Sequence, residues 1–174
     1  MTAKQEQLLG TYLSSLDETI RPVYAELAEH LLGLGYFPTK NNSNISFQCK
    51  SHGKQLAKMG FRNNRLRPAF FALRFSGCET YPERFAKIAD DEIARYPNRA
   101  AQCVNGNCGY CGGHPLSHVY KSSLEGFETR YNCGAYALGI PDVSGEDIAD
   151  IKKLIDEEHA YLMKYQAGGN QNEV

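Results

Sequence analysis

No stretch of this 174-residue chain approaches the ~20 consecutive apolar residues that a membrane-crossing helix requires, so a helical integral membrane protein is not expected. The opening residues, Met1-Thr-Ala-Lys-Gln-Glu-Gln, lack the apolar centre of a secretory signal, and the expected location is cytoplasmic. Tryptophan is absent, so any stacking surface must come from the eight phenylalanines and eleven tyrosines. The motifs of several common chemistries are missing too. There is no Gly-x-Ser-x-Gly elbow, no His-Glu-x-x-His and no phosphate-binding loop.

One absence is local. Between Glu29 and Glu79 there is no carboxylate side chain, while Lys40, Lys50, Lys54, Lys58, Arg62, Arg65, Arg67 and Arg74 supply eight positive charges. The whole chain has a net charge of only −1, so the remainder is acidic, with eleven basic residues against twenty acidic ones. A positive field over the middle segment follows. The candidate anion-binding set is Lys50, Lys54, Lys58, Arg62, Arg65, Arg67 and Arg74. Phe37, Phe47, Phe61, Phe70, Phe71 and Phe75 are interleaved with it. Exposed rings beside cations suit single-stranded nucleic acid or a small anionic ligand. The plainer alternative is a solvated sheet face whose rings pack inward.

Cysteine is present at six positions, and four of them form an array. Cys103, Cys108 and Cys111 are spaced C-x4-C-x2-C, and Cys133 follows after a gap of twenty-one residues. In a reducing compartment such thiols bind metal or do redox chemistry more readily than they form disulfides. Four thiolates close a tetrahedral shell around structural zinc, with His114 and His118 as alternate ligands. The same spacing is also the plant-ferredoxin order, which keeps an iron–sulfur cluster as the rival, and reduced thiols without metal are the third reading. Cys49 shares an alternating face with Ile45 and Phe47 and reads as a core thiol. Cys78 has no evident base and a carboxylate, Glu79, beside it, so it reads as an ordinary thiol rather than a nucleophile.

Periodicity predicts an α+β chain of one domain, residues 1–174. Leu8, Leu9, Tyr12, Leu13 and Leu16 recur at helical spacing, as do Ile20, Val23, Tyr24, Leu27, Leu31 and Leu34. Ser15-Leu-Asp-Glu18 has the form of a capping box for the second helix, although Pro22 fits better near a start at Thr19. Strands are expected at 44–50, 54–62 and 69–75 in an antiparallel meander, followed by a helix over 81–95. Hairpin strands at 118–121 and 129–133 enclose Leu124-Glu-Gly126. A last helix begins at Ser144, where Asp147 completes a capping box, and Ile148, Ile151, Ile155 and Leu162 dock it. The parts are thus an α+β body (1–98), a cysteine-rich lobe (99–140), a docking helix packed back (141–166) and a flexible tail (167–174).

Pro68 to Phe75, Tyr81 to Arg84, Cys103 to Cys111, and Cys133 to Tyr136 resemble corresponding stretches of small cysteine-rich bacterial proteins. That resemblance implies no activity. Residues 17–95 more remotely resemble the frataxin-like small domains of bacteria, some of which are linked to iron handling. The acidic helix face that frataxins use for iron is lacking, so this second resemblance implies a fold alone. The resulting expectation is a cytoplasmic zinc-stabilised binding protein whose basic sheet surface meets an anionic partner. An iron–sulfur or thiol-dependent enzyme or redox protein is the alternative, and most of what catalysis needs is missing.

Overall fold

The computed structural model describes residues 1–61, 68–74, 81–95, 119–121, 131–133 and 137–168. Thr2 opens helix α1 (Ala3–Ser14) with a capping box: Gln5 N–H donates to Thr2 Oγ1 at 3.4 Å, and Thr2 N–H donates to Gln5 Oε1 at 2.9 Å. The expected box at Ser15 does not form. Ser15 Oγ instead donates to the Tyr12 carbonyl at 2.6 Å, inside the end of α1. Helix α2 (Arg21–Gly33) starts later, with Pro22 in its first turn, where a missing N–H costs nothing. Arg21 then adds donors to carbonyls at the end of α1, from Nε to Leu13 O at 3.0 Å and from Nη2 to Leu16 O at 2.9 Å. Gly35 (φ +85°) turns the chain out of α2.

Four strands follow in a meander: β1 (Tyr36–Asn41), β2 (Asn44–Cys49), β3 (Gln55–Phe61) and β4 (Ala69–Leu73). The sequence reading found β2, β3 and β4 but not β1, whose Pro38 weakens the strand pattern and is tolerated because β1 lies at the sheet edge. Helix α3 (Glu83–Arg95) comes next, then the short antiparallel pair β5 (Val119–Lys121) and β6 (Tyr131–Cys133), which forms its own sheet. Strand β7 (Leu138–Ile140) returns to the main sheet beside β4, giving the order β1-β2-β3-β4-β7 with all neighbours antiparallel. These three residues were expected in the cysteine-rich lobe; their pairing with Phe71 to Leu73 puts them in the body sheet.

Cross-strand register places Tyr36, Pro38, Ile45, Phe47, Cys49, Ala57, Met59, Phe71, Leu73, Leu138 and Ile140 on one sheet face. α1 and α2 cover that face at β1, and their Leu9, Tyr12, Tyr24, Leu27 and Leu31 are buried with it. Helix α4 (Ile148–Gly168) follows a 3-10 turn at Gly145–Asp147 and packs on α2 and β3 through Ile151, Leu154, Ile155 and Leu162. The capping box expected at Ser144 is present, with Ser144 N–H donating to Asp147 Oδ2 at 2.8 Å. Arg84 on α3 reaches the same turn, donating from Nη1 to Asp147 Oδ1 and from Nη2 to Pro141 O, both at 2.6 Å. The turn expected at 62–65, the hairpin turn at 124–126 and the tail from residue 169 lie outside the described residues.

Candidate functional site

A polar cluster sits where the end of the β2–β3 hairpin meets α4. The hairpin end spans Lys50 to Gly53, closed by Gly53 N–H donating to Cys49 O at 2.9 Å and Cys49 N–H donating to Lys54 O at 3.2 Å. Gly53 takes φ +66°, which lets the turn close without a Cβ penalty. His52 projects from this end. Its Nδ1 accepts the Lys54 backbone N–H at 3.0 Å, and its Nε2 lies 3.2 Å from the Tyr36 hydroxyl. The same hydroxyl lies 3.1 Å from Nδ1 of His159 on α4. Tyr36 itself is fully buried at the start of β1, with both imidazole rings 5.6 Å from its own. His52 and His159 are half-buried, so the cluster runs from the core to the surface on two sides.

Charge surrounds it. Arg74, just after β4, is only 7% exposed, and Nε lies 3.2 Å from Oε1 of the fully buried Glu158. The contact is an ion pair rather than an aligned hydrogen bond, since Arg74 Nε has no hydrogen-bond acceptor. Arg74 Nη1 donates to Gln55 O at 3.4 Å. Cys49, the register partner of Tyr36, has its sulfur 3.0 Å from Ser51 Oγ. Burial, then the neighbouring Cys49 and Glu158, push the Tyr36 phenol far above its ordinary range despite Arg74. Burial, then His159, Arg74 and Lys54, hold His52 below the ordinary histidine value. This arrangement keeps the phenol protonated and His52 neutral at neutral pH.

The candidate anion-binding residues separate. Lys50 and Lys54 are exposed at the hairpin end, and Lys50 Nζ stands 5.5 Å from the centre of the Phe37 ring. Lys58, half-buried, lies on the sheet face opposite the core side, next to Ser46 and Ala72 by register. Arg74 is turned inward to Glu158, so it adds nothing to an exposed surface; a charge run read along the chain does not reveal a partner on a distant helix. Arg62, Arg65 and Arg67 lie outside the described residues. Among the rings interleaved with them, Phe47 and Phe71 are core, while Phe37, Phe61 and Phe70 are half-buried.

Of the cysteine array, Cys133 is described only as the last residue of β6, paired with Val119. Cys103, Cys108, Cys111, His114, His118 and Cys78 lie outside the described residues. Among the described residues no three His, Cys, Asp or Glu side chains converge as metal ligands. Cys49 is a buried core thiol, as its strand position suggests.

A separate cleft of about 410 Å³ opens where the α1–α2 turn faces the ends of β3 and β4. Leu16, Ile20, Phe61 and Val143 line it together with the exposed Asp17 and Asp142. Two carboxylates make it a poor seat for an anion. No described helix is long and apolar enough to cross a membrane.

Sequence reasoning missed the Tyr36–His52–His159 cluster. One signal for it does exist: Glu158 occupies a position on the apolar stripe of Ile151, Leu154, Ile155 and Leu162, and a charge there demands a buried partner. Comparison with known proteins adds no relative: no family model, curated protein or solved structure matches the chain.

Proposed function

We propose that this chain is a zinc-stabilised binding protein that presents the end of the β2–β3 hairpin to an anionic partner. The observation that carries the reading is the pair of exposed lysines, Lys50 and Lys54, on a turn fixed by backbone hydrogen bonds. The sequence around them is free of carboxylates from residue 30 to 78. Two carboxylates of the facing helix have partners of their own: Glu158 is paired with Arg74, and Asp156 lies 2.7 Å from His30 Nε2. Phe37 beneath Lys50 adds a half-buried ring next to the charge, the combination that stacks a base or an aromatic anion.

Zinc is supported by the donor chemistry of the array. Cys103, Cys108, Cys111 and Cys133 are soft ligands at knuckle spacing, and four of them leave no open position for catalysis. The metal would hold the lobe together and take no part in binding.

The test has two arms. Metal analysis of anaerobically purified protein should give one zinc per chain and a colourless solution; a brown protein absorbing in the visible would replace zinc with an iron–sulfur cluster. Anisotropy with a labelled single-stranded oligonucleotide should show binding that weakens steeply with salt. Lys50→Glu with Lys54→Glu should lower the affinity about tenfold or more and flatten the salt dependence, since each lost phosphate contact removes about one unit of slope. Binding unchanged in that variant, or none at low salt, would overturn the hairpin end as the anion site.

A further inference from the structure

The hydrogen atoms in the polar cluster can be assigned from one fixed point. The Lys54 backbone N–H is a donor in every protonation state, and it points at His52 Nδ1 at 3.0 Å. Nδ1 must therefore be an acceptor, which leaves the single hydrogen of the neutral ring on Nε2. Nε2 then donates to the Tyr36 oxygen at 3.2 Å, and the Tyr36 hydroxyl spends its one hydrogen on His159 Nδ1 at 3.1 Å. His159 in turn carries its hydrogen on Nε2. Every bond runs the same way, from hairpin to strand to helix.

We propose that this one-way chain, Lys54 to His52 to Tyr36 to His159, is an acid-sensitive latch that holds the β2–β3 hairpin end against helix α4. Adding a proton to His52 puts a second N–H on Nδ1, facing the Lys54 N–H at hydrogen-bond distance. Two donors cannot share that line, so either the turn or the ring must move. Metal binding at His52 Nε2 meets the same obstacle, because it too would drive the ring hydrogen onto Nδ1.

The groups facing the chain from each packed element act in the same direction or are already committed. Lys54 of the same turn and Arg74 after β4 are cations that oppose a further positive charge. His159 on α4 accepts the Tyr36 hydrogen. Glu158, also on α4, is paired with Arg74, and Cys49 on β2 lies against Ser51. Among the described residues, the hydrogen-bond partners of His52 are the Lys54 N–H and the Tyr36 hydroxyl. The latch is independent of whether the hairpin end binds an anion.

The sign of the linkage is definite. His52 has the ordinary value of 6.5 when released and a lower one when latched, so the open form binds the proton more tightly. Opening therefore rises as pH falls below 6.5, by up to about tenfold per pH unit until the latched ring also titrates.

Nitrogen-15 histidine spectra of the whole chain at pH 7.5 should show His52 and His159 both as the Nε2–H tautomer. Hydrogen-exchange protection at the Lys54 amide should fall as pH is lowered from 7 to 5, while amides in the middle of α2 keep theirs. His52→Gln, whose amide oxygen accepts from the Lys54 N–H and does not titrate, should make that protection independent of pH. His52 found as the Nδ1–H tautomer, or a pH response that persists in His52→Gln, would overturn the latch.

Discussion

Glu158 has no exposed surface, and the guanidinium of Arg74 lies 3.2 Å from its Oε1. At the scale of single residues this pair is the most demanding feature of the body, because each ion has given up its water. Glu158→Gln keeps the shape and removes the charge, leaving Arg74 buried without a counterion. That should destabilise the protein by about 3 kcal/mol or more, read as a lower urea midpoint. The double change Arg74→Met with Glu158→Leu should recover most of the loss, since an apolar pair has no desolvation cost to offset. A double variant as unstable as Glu158→Gln would show that the pair contributes more than mutual neutralisation. The surface pairs His30–Asp156 and Lys152–Glu26, at 2.7 and 2.6 Å, carry far less because water already screens them.

Between elements, Arg84 makes a two-point polar junction with the start of α4. Its guanidinium bridges the buried Asp147 carboxylate and the Pro141 carbonyl, so α3 holds the turn that launches α4. Arg84→Ala leaves Asp147 with the Ser144 cap alone and should cost about 2 kcal/mol, the scale of a hydrogen bond to a charged group. Arg84→Lys should restore only part of it, because an ammonium cannot span both acceptors as a planar fork does. Full recovery by lysine would mean that charge, not geometry, makes the junction. Elements of this kind differ in how far the sequence announces them. The alternation of Ile45, Phe47 and Cys49 marks β2, and the Ser144–Asp147 box marks the turn into α4, because both signals are local. β1 hides behind Pro38, and β7 is three residues long and gains its identity only by pairing with β4. Ser15 followed by Glu18 satisfies the cap pattern, yet Arg21 competes for that turn by closing over the α1 carbonyls.

The candidate site is less legible than the fold for the same reason on a larger scale. Tyr36, His52, Arg74 and the adjacent pair Glu158–His159 come from four separate stretches of chain, and no spacing rule links them. The basic run and the cysteine array are visible in sequence because they are contiguous. For the basic run, contiguity misled at Arg74, where tertiary pairing took the charge out of the surface.

Considered as a polymer, the chain leaves α3 at Arg95 and next rejoins the main sheet at Leu138, where β7 pairs with β4. Those two points are fixed by packing, since α3 lies against β7. Closing such a loop costs entropy that grows only with the logarithm of its length, and each doubling adds about 0.6 kcal/mol. The proposed zinc, by clipping Cys103 to Cys133, would leave about a third of that loop free. Its influence on the body through the chain alone is then about 1 kcal/mol. Removing the metal with a chelator should lower the body's unfolding free energy by no more than that, with the α-helical circular dichroism retained. A larger fall would mean that the lobe supports the sheet by direct packing. The logarithm thus makes the stretch between Arg95 and Leu138 a place where loss of the proposed zinc, or added length, would cost the sheet little.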